Sequence, residues 1–360
     1  MTKKNNFLIY GSYGYTGNLI AELCINHGLN PVLAGRNQEK LQQQAQNLKL
    51  PYLVIDLENS QEIDKALENF IAVINCAGPF MYTYAKMATA CIKTNTHYLD
   101  ITGEYKVFEE LMKWDAQAKA AGIMLLPGAG FDVVPSDCLA QHLKSLLPDA
   151  THLTLAIAAK QNDSSAGLGI SRGTAKTALE GLAEGTMIRD KGALKRISLN
   201  GKARNFDFGG NKPLMCSTIS WGDIASAWWS TRIPHIEVYM ALPKKIIKMN
   251  KFLSLIKSIL KWAPLKSYME KKIEQMPEGP SLKSRQNSIA KIYGEVVNTQ
   301  GHSKSALMTT PNGYELTSIS VLLIINKILA GHAPAGFQTP STAYSKELVM
   351  EIPGVTRIDL

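Results

Sequence analysis

The sequence predicts an α/β fold in which a doubly wound parallel sheet is followed by a second, mixed α+β domain. Apolar strand-like runs alternate with helical stretches through roughly the first 130 residues, a glycine-rich turn follows the first run, and this rhythm ends after Pro135. A chain of 360 residues is also too long for one ordinary hydrophobic core. We therefore expect a first domain of residues 1–133 and 334–360 and a second of residues 134–333.

Six short apolar runs, each closed by glycine, proline or polar residues, predict the strands of the first domain. Helical stretches separate them, and Ser60 is expected to cap the third helix. Strands that alternate with helices at this spacing form parallel sheets covered on both faces. The predicted strands are residues 7–10, 31–34, 52–55, 72–75, 98–101 and 123–126, and the predicted helices are residues 15–28, 38–47, 60–69, 82–94 and 108–121.

The second domain shows mixed patterns that suit a sheet of its own. Residues 151–159 alternate and are β-branched, which predicts a strand, and residues 222–241 are apolar and partly β. Residues 319–330 form the longest apolar segment, but it is too short and too polar for the roughly 20 residues that span a bilayer, so we predict a buried helix. The remaining predictions are a loop at 162–169, a helix at 174–183 and a short helix at 341–349.

The bulk composition is typical of a soluble globular protein. The chain is 45% hydrophobic and 19% charged, and its first apolar run is too short for a signal peptide. Five cysteines are an odd number, and no pair forms a Cys-x-x-Cys motif or accompanies a histidine cluster. We therefore expect free thiols in a reducing cytoplasm, with neither a disulfide framework nor a metal site.

The net charge of +9 is concentrated in one segment. Between Lys244 and Lys272 there are nine lysines and one acid, Glu270, which leaves +1 for the rest of the chain. Apolar pairs interleave with these lysines, as in a basic amphipathic helix that lies on an anionic membrane surface. An acidic acyl carrier protein would suit the segment equally, and a core-facing helix with a solvated lysine face is the alternative. Nucleic acid is not expected, because no recognition motif accompanies the charge.

A glycine-rich motif, G-x-x-G-x-x-G, follows the first predicted strand directly. The motif alone is weak, but here it joins a strand to an amphipathic helix at the start of a βαβ unit, which is the context of a dinucleotide-binding Rossmann domain. Glycines would permit a tight turn, close approach to a pyrophosphate and close helix packing, while the first helical amides point at the phosphates. A plain strand–helix turn is the alternative. The predicted cofactor-binding residues of this loop are Gly11, Ser12, Tyr13, Gly14, Tyr15, Thr16 and Gly17.

The end of the second strand favours NADP(H) over NAD(H). An NAD site needs an acid there for the ribose 2′-hydroxyl, whereas this chain has Arg36 and Asn37. A guanidinium placed 19 residues after Gly17 can pair with a 2′-phosphate and stack on adenine, and Ser12 could add a hydroxyl. The alternative is a surface arginine that caps the next helix.

Two further loops lie at carboxyl ends of predicted strands, where ligands bind in open α/β sheets. Asp56 and Leu57 are expected to bracket the adenine. The small, backbone-exposing loop after the fourth strand suits the ribose and nicotinamide. Its predicted cofactor-binding residues are Cys76, Ala77, Gly78, Pro79 and Phe80.

These segments together resemble the saccharopine dehydrogenase-like oxidoreductases, a family that includes saccharopine reductases and the trans-acting enoyl reductases of lipid biosynthesis. The length and pattern are closer to the enoyl-reductase-like branch. The resemblance implies an NADP-binding Rossmann domain, a second domain inserted before a returning C-terminal segment, and homodimers. The matching stretches are YGSYGYTG (10–17), LAGRN (33–37), VINCAGPF (73–80), HYLDITGE (97–104) and PGAGFDVVPSD (127–137), with SRGT (171–174) and GFQTP (336–340) as sparser later signatures.

The sequence does not single out one proton donor. Asp132 follows a strand-end glycine turn where a nicotinamide could lie, although it would also suit a helix cap. Tyr98 starts a strand and fits the core better than a donor role, and Glu104 fits a helix cap. Arg172, in the Ser-Arg-Gly-Thr stretch before a helix, could bind an anionic substrate group, or this stretch could be a simple N-cap.

We therefore predict an NADP(H)-dependent reductase of a C=C or C=N bond in a hydrophobic or acyl substrate. Two alternatives belong to other classes. One is a non-catalytic NADP(H)-sensing protein, and the other is a membrane-surface or carrier-binding protein whose Rossmann domain is structural. The expected location is cytoplasmic, with peripheral membrane association through the lysine-rich segment as an option.

Overall fold

A computed structural model describes residues 6–161, 171–182, 185–198, 201–241 and 263–360. The predicted loop at 162–169 and most of the lysine-rich segment lie outside these residues. The chain divides into two compact units, Met1–Val134 with Tyr314–Tyr344, and Pro135–Gly313 with Ser345–Leu360.

The first unit contains a parallel sheet of seven strands in its described residues, in the order β15-β6-β5-β4-β1-β2-β3. The order reverses between β1 and β4, which is the topological switch point of a doubly wound sheet. The predicted fold class is therefore confirmed. The strands are β1 (Phe7–Tyr10), β2 (Val32–Gly35), β3 (Tyr52–Val54), β4 (Ala72–Asn75), β5 (His97–Asp100), β6 (Met124–Leu126) and β15 (Gly336–Phe337).

Helices connect these strands, and three details differ from the sequence prediction. Asn59, and not Ser60, caps the third helix, because its side chain accepts a hydrogen bond from Glu62 N at 3.3 Å. A 3₁₀ turn at Phe80–Tyr82 precedes the fourth helix, and the predicted helix at 108–121 is two helices. The helices are α1 (Tyr15–Asn26), α2 (Gln38–Leu48), α3 (Ser60–Leu67), α4 (Tyr84–Thr94), α5 (Tyr105–Met112) and α6 (Asp115–Ala120).

The second unit has a mixed sheet of nine strands among the described residues, in the order β10-β11-β12-β7-β13-β14-β16, with β8 beside β12 and β9 beside β8. The strands are β7 (His152–Gln161), β8 (Thr186–Asp190), β9 (Ala193–Ile197), β10 (Ala203–Phe206), β11 (Leu214–Thr218), β12 (His235–Ala241), β13 (Ser288–Val297), β14 (Ser303–Pro311) and β16 (Thr356–Asp359). The helices are α7 (Val134–Leu146), α8 (Arg172–Leu182), α9 (Asp223–Thr231), α10 (Ala263–Glu274) and α11 (Leu282–Gln286).

The returning segment of the first unit begins earlier than residue 334 and ends before the C-terminus. The helix α12 (Gly313–Leu329) lies against the loop after β6, where Ser320 Oγ donates to Ala129 O at 2.6 Å. The chain continues through β15 and the short helix α13 (Pro340–Tyr344). The final residues belong to the second unit because β16 pairs with β14.

The structure also tests what was expected of the cysteines and of the longest apolar segment. All five cysteines are free thiols. Among the residues described, no helix combines the length and the apolar character needed to cross a bilayer. The apolar segment at 319–330 lies within α12, whose inner face is buried.

Candidate active site

The candidate site lies in the first unit, where the carboxyl ends of its central strands meet. Tyr10 at the end of β1 pairs with Ala34 in β2 and Asn75 in β4, and Asn75 pairs with Asp100 in β5. The strands β1, β2, β4 and β5 therefore end at the same edge of the sheet, and the loops that follow them lie together at the switch point.

The glycine-rich loop after β1 is packed too tightly for side chains at two positions. Gly11 has a positive φ of 76°, and a Cβ there would lie 2.9 Å from Ala77 N. A Cβ on Gly17 would lie 2.6 Å from the backbone oxygen of Gly11. Only glycine fits at these two positions. The short distance from Gly11 to Ala77 also shows that the loop after β1 directly contacts the loop after β4.

The helix α1 starts inside this loop and presents its N-terminus to the switch point. Gly14 is the N-cap residue, and the first intrahelical bond runs from Asn18 N to Gly14 O at 2.9 Å. The amides of Tyr15, Thr16 and Gly17 precede that bond, at the positive end of the helix dipole. No acidic residue occupies the first turn. This cradle fits the pyrophosphate of a dinucleotide.

Ser12 supports the loop from inside. It is fully buried, and its hydroxyl donates to Gln44 Oε1 at 2.8 Å. This differs from the expectation that the hydroxyl would face a 2′-phosphate, because the buried amide of Gln44 on α2 engages it instead.

The end of β2 carries the positive charge that the sequence predicted. Arg36 is exposed, and Asn37, not Arg36, caps α2 by accepting a hydrogen bond from Lys40 N at 2.9 Å. The ring of Tyr13 packs over the backbone of Gly35, where a Cβ would lie 2.6 Å from Tyr13 Cε1. Lys40 Nζ lies 5.8 Å from the centre of the same ring. Two cations and an aromatic face thus lie at the end of β2, and groups of this kind suit a 2′-phosphate and an adenine.

The end of β3 carries the predicted residues Asp56 and Leu57. Asp56 Oδ1 accepts a hydrogen bond from Glu58 N at 3.0 Å, and Leu57 is buried. The hydroxyl of Tyr10 donates to Ile55 O at 3.3 Å. Burial raises the pKa of Tyr10 to about 12, with smaller contributions from Tyr13 and Asp56.

The loop after β4 is held by two polar side chains that sequence analysis did not single out as site residues. Asn75 is buried, its Oδ1 accepts from Ala77 N at 3.1 Å, and its Nδ2 donates to Thr83 Oγ1 at 3.0 Å. Thr83 Oγ1 donates in turn to Ala77 O at 2.9 Å. The backbone of this loop is therefore fixed beside the glycine-rich loop. It contains the predicted residues Cys76, Ala77, Gly78, Pro79 and Phe80.

Glu104 anchors the far end of the same loop. Its carboxylate accepts hydrogen bonds from Phe80 N at 2.8 Å and Met81 N at 3.0 Å. Glu104 occupies the N-cap position of α5, but its side chain makes no capping bond there. The predicted helix-cap role is therefore replaced by a bridge between the loops after β4 and β5.

A buried hydrogen-bonded pair, Tyr98 and Asp100, lies at the end of β5. The Tyr98 hydroxyl donates to Asp100 Oδ2 at 2.7 Å, and Asp100 Oδ1 accepts from Thr102 N and Gly128 N at 3.0 and 2.9 Å. Burial raises the pKa of Asp100 to about 7, although these hydrogen bonds oppose the shift. Burial also raises the pKa of Tyr98 well above its ordinary value. Tyr98 is fully buried, as expected of a core residue.

Asp132 lies on the loop after β6, beside Glu104. A Cβ on Gly103 would lie 2.5 Å from Asp132 Oδ2, so the two loops meet at this carboxyl group. Burial, and then the negative charge of Glu104, raises the pKa of Asp132 to about 7. Asp132 therefore holds its proton to a higher pH than an ordinary carboxyl group, while the Glu104 carboxylate accepts two amide hydrogen bonds.

The helix α12 forms a wall of this site, which the predicted domain boundaries had assigned to the second domain. Tyr314 lies edge-to-face against Tyr15, with 5.0 Å between ring centres. Thr317 Oγ1 accepts a hydrogen bond from Phe131 N at 2.9 Å. No local pattern pointed to these contacts, because 186 positions separate Phe131 from Thr317 and 299 separate Tyr15 from Tyr314.

Arg172 belongs to the second unit and is engaged within it. Its guanidinium pairs with the Glu278 carboxylate and donates to Glu274 O at 3.4 Å. Ser171 Oγ accepts from Thr174 N at 3.2 Å, which is the N-cap alternative considered for this stretch. The anion-binding interpretation of Arg172 has no support from these contacts.

Only the end of the lysine-rich segment lies within the described residues. The helix α10 carries Lys271 and Lys272 in its last turn, and the ring of Tyr268 is exposed. Lys272 Nζ lies 5.8 Å from the centre of that ring. These residues form a solvated basic helix end.

Comparison with known proteins supports the interpretation of the first unit. Residues 7–126 match the family model of the saccharopine dehydrogenase NADP binding domain. The match assigns NADP(H) as the cofactor of this domain. The glycine cradle, the α1 N-terminus and Arg36 fit that cofactor, because helix N-terminal amides suit a pyrophosphate and a guanidinium suits a 2′-phosphate.

Two curated relatives and one solved structure extend the resemblance. The chain is 30% identical over 153 residues to a saccharopine dehydrogenase-like oxidoreductase of Bos taurus, which covers 37% of this chain and 35% of that protein. It is 29% identical over 140 residues to a trans-acting enoyl reductase of Mycobacterium leprae, which covers 37% and 34% of the two chains. The alignments thus span about a third of either relative.

The fold as a whole resembles that of the saccharopine dehydrogenase (L-Glu forming) of Saccharomyces cerevisiae. The TM-score is 0.65 and the match covers 99% of both chains, at 14% identity. The match of residues 7–126 to the family model and the curated relatives confirm the predicted resemblance to saccharopine dehydrogenase-like oxidoreductases.

Proposed function

We propose that the protein is an NADP(H)-dependent reductase that acts on a C=C or C=N bond of a hydrophobic or acyl substrate. The observation that carries the proposal is the position of the Asp132 carboxyl group, which meets Gly103 at the same strand ends as the dinucleotide cradle. Burial and the charge of Glu104 also raise the pKa of this group to about 7. A proton donor near neutral pH and a dinucleotide site on one sheet edge are what a reductase needs.

Each part of the site has a separate task in this proposal. The loop at 11–17 binds the pyrophosphate, Arg36 and Asn37 bind the 2′-phosphate, Asp56 and Leu57 bracket the adenine, and the loop at 76–80 lies along the ribose and nicotinamide. The bound cofactor supplies the hydride. Asp132 gives its proton to the atom of the double bond that does not receive the hydride, and it regains a proton from water.

Calorimetric titration of the purified protein with NADPH and NADH tests the cofactor half of the proposal, after a check for cofactor carried through purification. We expect micromolar binding of NADPH and at least tenfold weaker binding of NADH, because one charge-assisted contact to the 2′-phosphate contributes about that factor. Absence of binding to either would contradict the proposal.

A turnover assay tests the reductase half of the proposal. The decrease of NADPH absorbance is followed with a panel of enoyl thioesters and cyclic imines. The first class follows the name of the enoyl reductase relative, and the second represents the C=N bonds of the proposal. NADPH binding without turnover of any panel member would favour the NADP(H)-sensing alternative.

We also propose that the protein forms homodimers and that its lysine-rich segment binds an anionic membrane surface or an acyl carrier protein. Sedimentation analysis tests the first. Co-sedimentation with anionic lipid vesicles tests the second, and substitution of Arg36 is expected to leave that binding unchanged.

A further inference from the structure

We propose that Gln44 is a positioning residue that holds the pyrophosphate-binding loop in its binding conformation, an inference that rests on the proposed cofactor site. Gln44 lies on α2, outside every sequence motif described above, and its side chain is 7% exposed. Its amide group forms a reciprocal pair with Ser12: Ser12 Oγ donates to Gln44 Oε1, and Gln44 Nε2 donates to Ser12 O, each at 2.8 Å.

A third hydrogen bond links the same amide to the other end of the loop. Gln44 Nε2 donates to Asn18 Oδ1 at 2.8 Å, and Asn18 Nδ2 donates to Glu22 Oε1 at 2.7 Å. Gln44 therefore bridges a residue near the start of the loop and a residue in the first turn of α1. The amides of residues 15–17, which receive the pyrophosphate, lie between these two anchor points.

The composition of the loop explains why it needs such an anchor. Glycine has more backbone freedom to lose than any other residue, and the loop contains three glycines within seven residues. The hydrogen bonds from Gln44 restrict this freedom before the cofactor binds, so the loop loses less conformational entropy on binding. A buried glutamine is unfavourable unless its polar atoms are bonded, and here both amide hydrogens and the oxygen have partners.

Gln44 also relates the two phosphate subsites to each other. The helix α2 begins directly after Arg36 and Asn37, and Gln44 lies about two turns further along the same helix. The proposed 2′-phosphate residues, Arg36 and Asn37, thus directly precede α2, and Gln44 on the buried face of the same helix forms hydrogen bonds with the pyrophosphate loop.

The first test is the Gln44→Met variant, which keeps the volume and removes all three hydrogen bonds. We expect the dissociation constants of NADPH and NADH, measured by calorimetry on the full chain, to rise about tenfold each, because both dinucleotides carry the pyrophosphate. Gln43→Met is the matched control. Gln43 is exposed on the same helix, and this variant should bind both dinucleotides like the wild type.

A second variant, Gln44→Glu, gives a signature that a general loss of stability would not. An ionised carboxylate has no hydrogen to donate to Ser12 O or Asn18 Oδ1, whereas the protonated acid has one. We expect NADP⁺ binding to be weaker than wild type by about tenfold at pH 8 and to recover part of this loss at pH 5.5, where the protonated acid can donate one of the two hydrogen bonds. The wild type and Gln43→Met are titrated at the same pH values to correct for the 2′-phosphate.

The outcomes separate this inference from the function on which it rests. Wild-type protein that binds neither dinucleotide overturns the cofactor site and the role of Gln44 with it. If the wild-type protein binds NADPH and both Gln44 variants bind it as tightly as the wild type at pH 8, only the role of Gln44 is overturned. A loss confined to NADPH also overturns it, because that pattern would place the effect at the 2′-phosphate.

Discussion

The carboxylate of Glu104 accepts a hydrogen bond from the backbone amide of Phe80 at 2.8 Å, across 24 residues of sequence. This bond ties the loop proposed to lie along the nicotinamide to the loop that precedes α5. The same carboxylate lies beside Asp132 and contributes to its raised pKa. One side chain thus shapes the loop and adjusts the protonation of the proposed proton donor.

Replacement of Glu104 by glutamine is expected to shift the pH dependence of reduction to lower pH. The proton donor must be protonated, so activity falls as the pH rises through the pKa of Asp132, which is about 7 in the wild type. Removing the neighbouring charge lowers that pKa, because a like charge no longer opposes ionisation. The measurement is the rate of NADPH oxidation from pH 5.5 to 9 with a substrate found in the panel.

Glu110→Gln is the control for this experiment, since Glu110 pairs with Lys113 on the solvent side of α5. Its pH profile should match the wild type. An unshifted profile in the Glu104→Gln variant would show that Glu104 does not act on the donor.

Arg36→Ala is expected to weaken NADPH binding about tenfold or more and to leave NADH binding within twofold, because NADH lacks the 2′-phosphate. Calorimetric titration measures both constants. Lys65→Ala removes one exposed positive charge from α3 and controls for the general charge of the unit. Equal losses for both dinucleotides would contradict the assignment of Arg36.

The fold of the first unit was predictable because its signals are local. Short apolar runs bounded by Gly11, Gly35 and Gly78 identify buried parallel strands, and the glycine-rich turn identifies the switch point. The wall formed by Tyr314 was not predictable, since its contact with Tyr15 joins residues 299 positions apart and leaves no periodicity in the sequence.

The side-chain partners inside the site were also hidden from sequence analysis. Glu104 stands where a helix cap is expected, and only the three-dimensional arrangement shows that it binds the amides of another loop. Gln44 lies outside every motif, and Asp100 lies in a matching stretch that gives it no role. The roles of both residues follow from burial and from the partners that burial imposes.

The buried carboxyl of Asp100 should make the protein less stable as the pH rises between about 4 and 7. Its pKa in the folded protein is raised to about 7, so the folded state keeps a proton that the unfolded state has lost. This contribution to the free energy of unfolding is fully present below the unfolded pKa and is lost as pH rises through the folded pKa, on the order of 1 kcal/mol per pH unit. Urea unfolding at pH 4.5, 5.5 and 6.5 measures it.

The Asp100→Asn variant, which cannot titrate, should show a smaller decline over the same pH interval. Asp64→Asn is the control, because the carboxylate of Asp64 is partly exposed and pairs with Lys93 at the surface. A decline as steep in Asp100→Asn as in the wild type would assign the pH dependence to another group.

Asp132→Asn separates the proposed reductase from a protein that only binds NADP(H). An amide of nearly the same shape cannot deliver a proton, so we expect the rate of NADPH oxidation to fall by about 10²- to 10⁴-fold, the range typical of a lost general acid. The NADPH dissociation constant should stay within about threefold of the wild type, since no phosphate subsite is altered. Both are measured on the same preparation, by stopped-flow absorbance and by calorimetry. Unchanged turnover would remove Asp132 from the mechanism, and a loss of NADPH binding equal to the loss of turnover would make it a structural residue of the cofactor site.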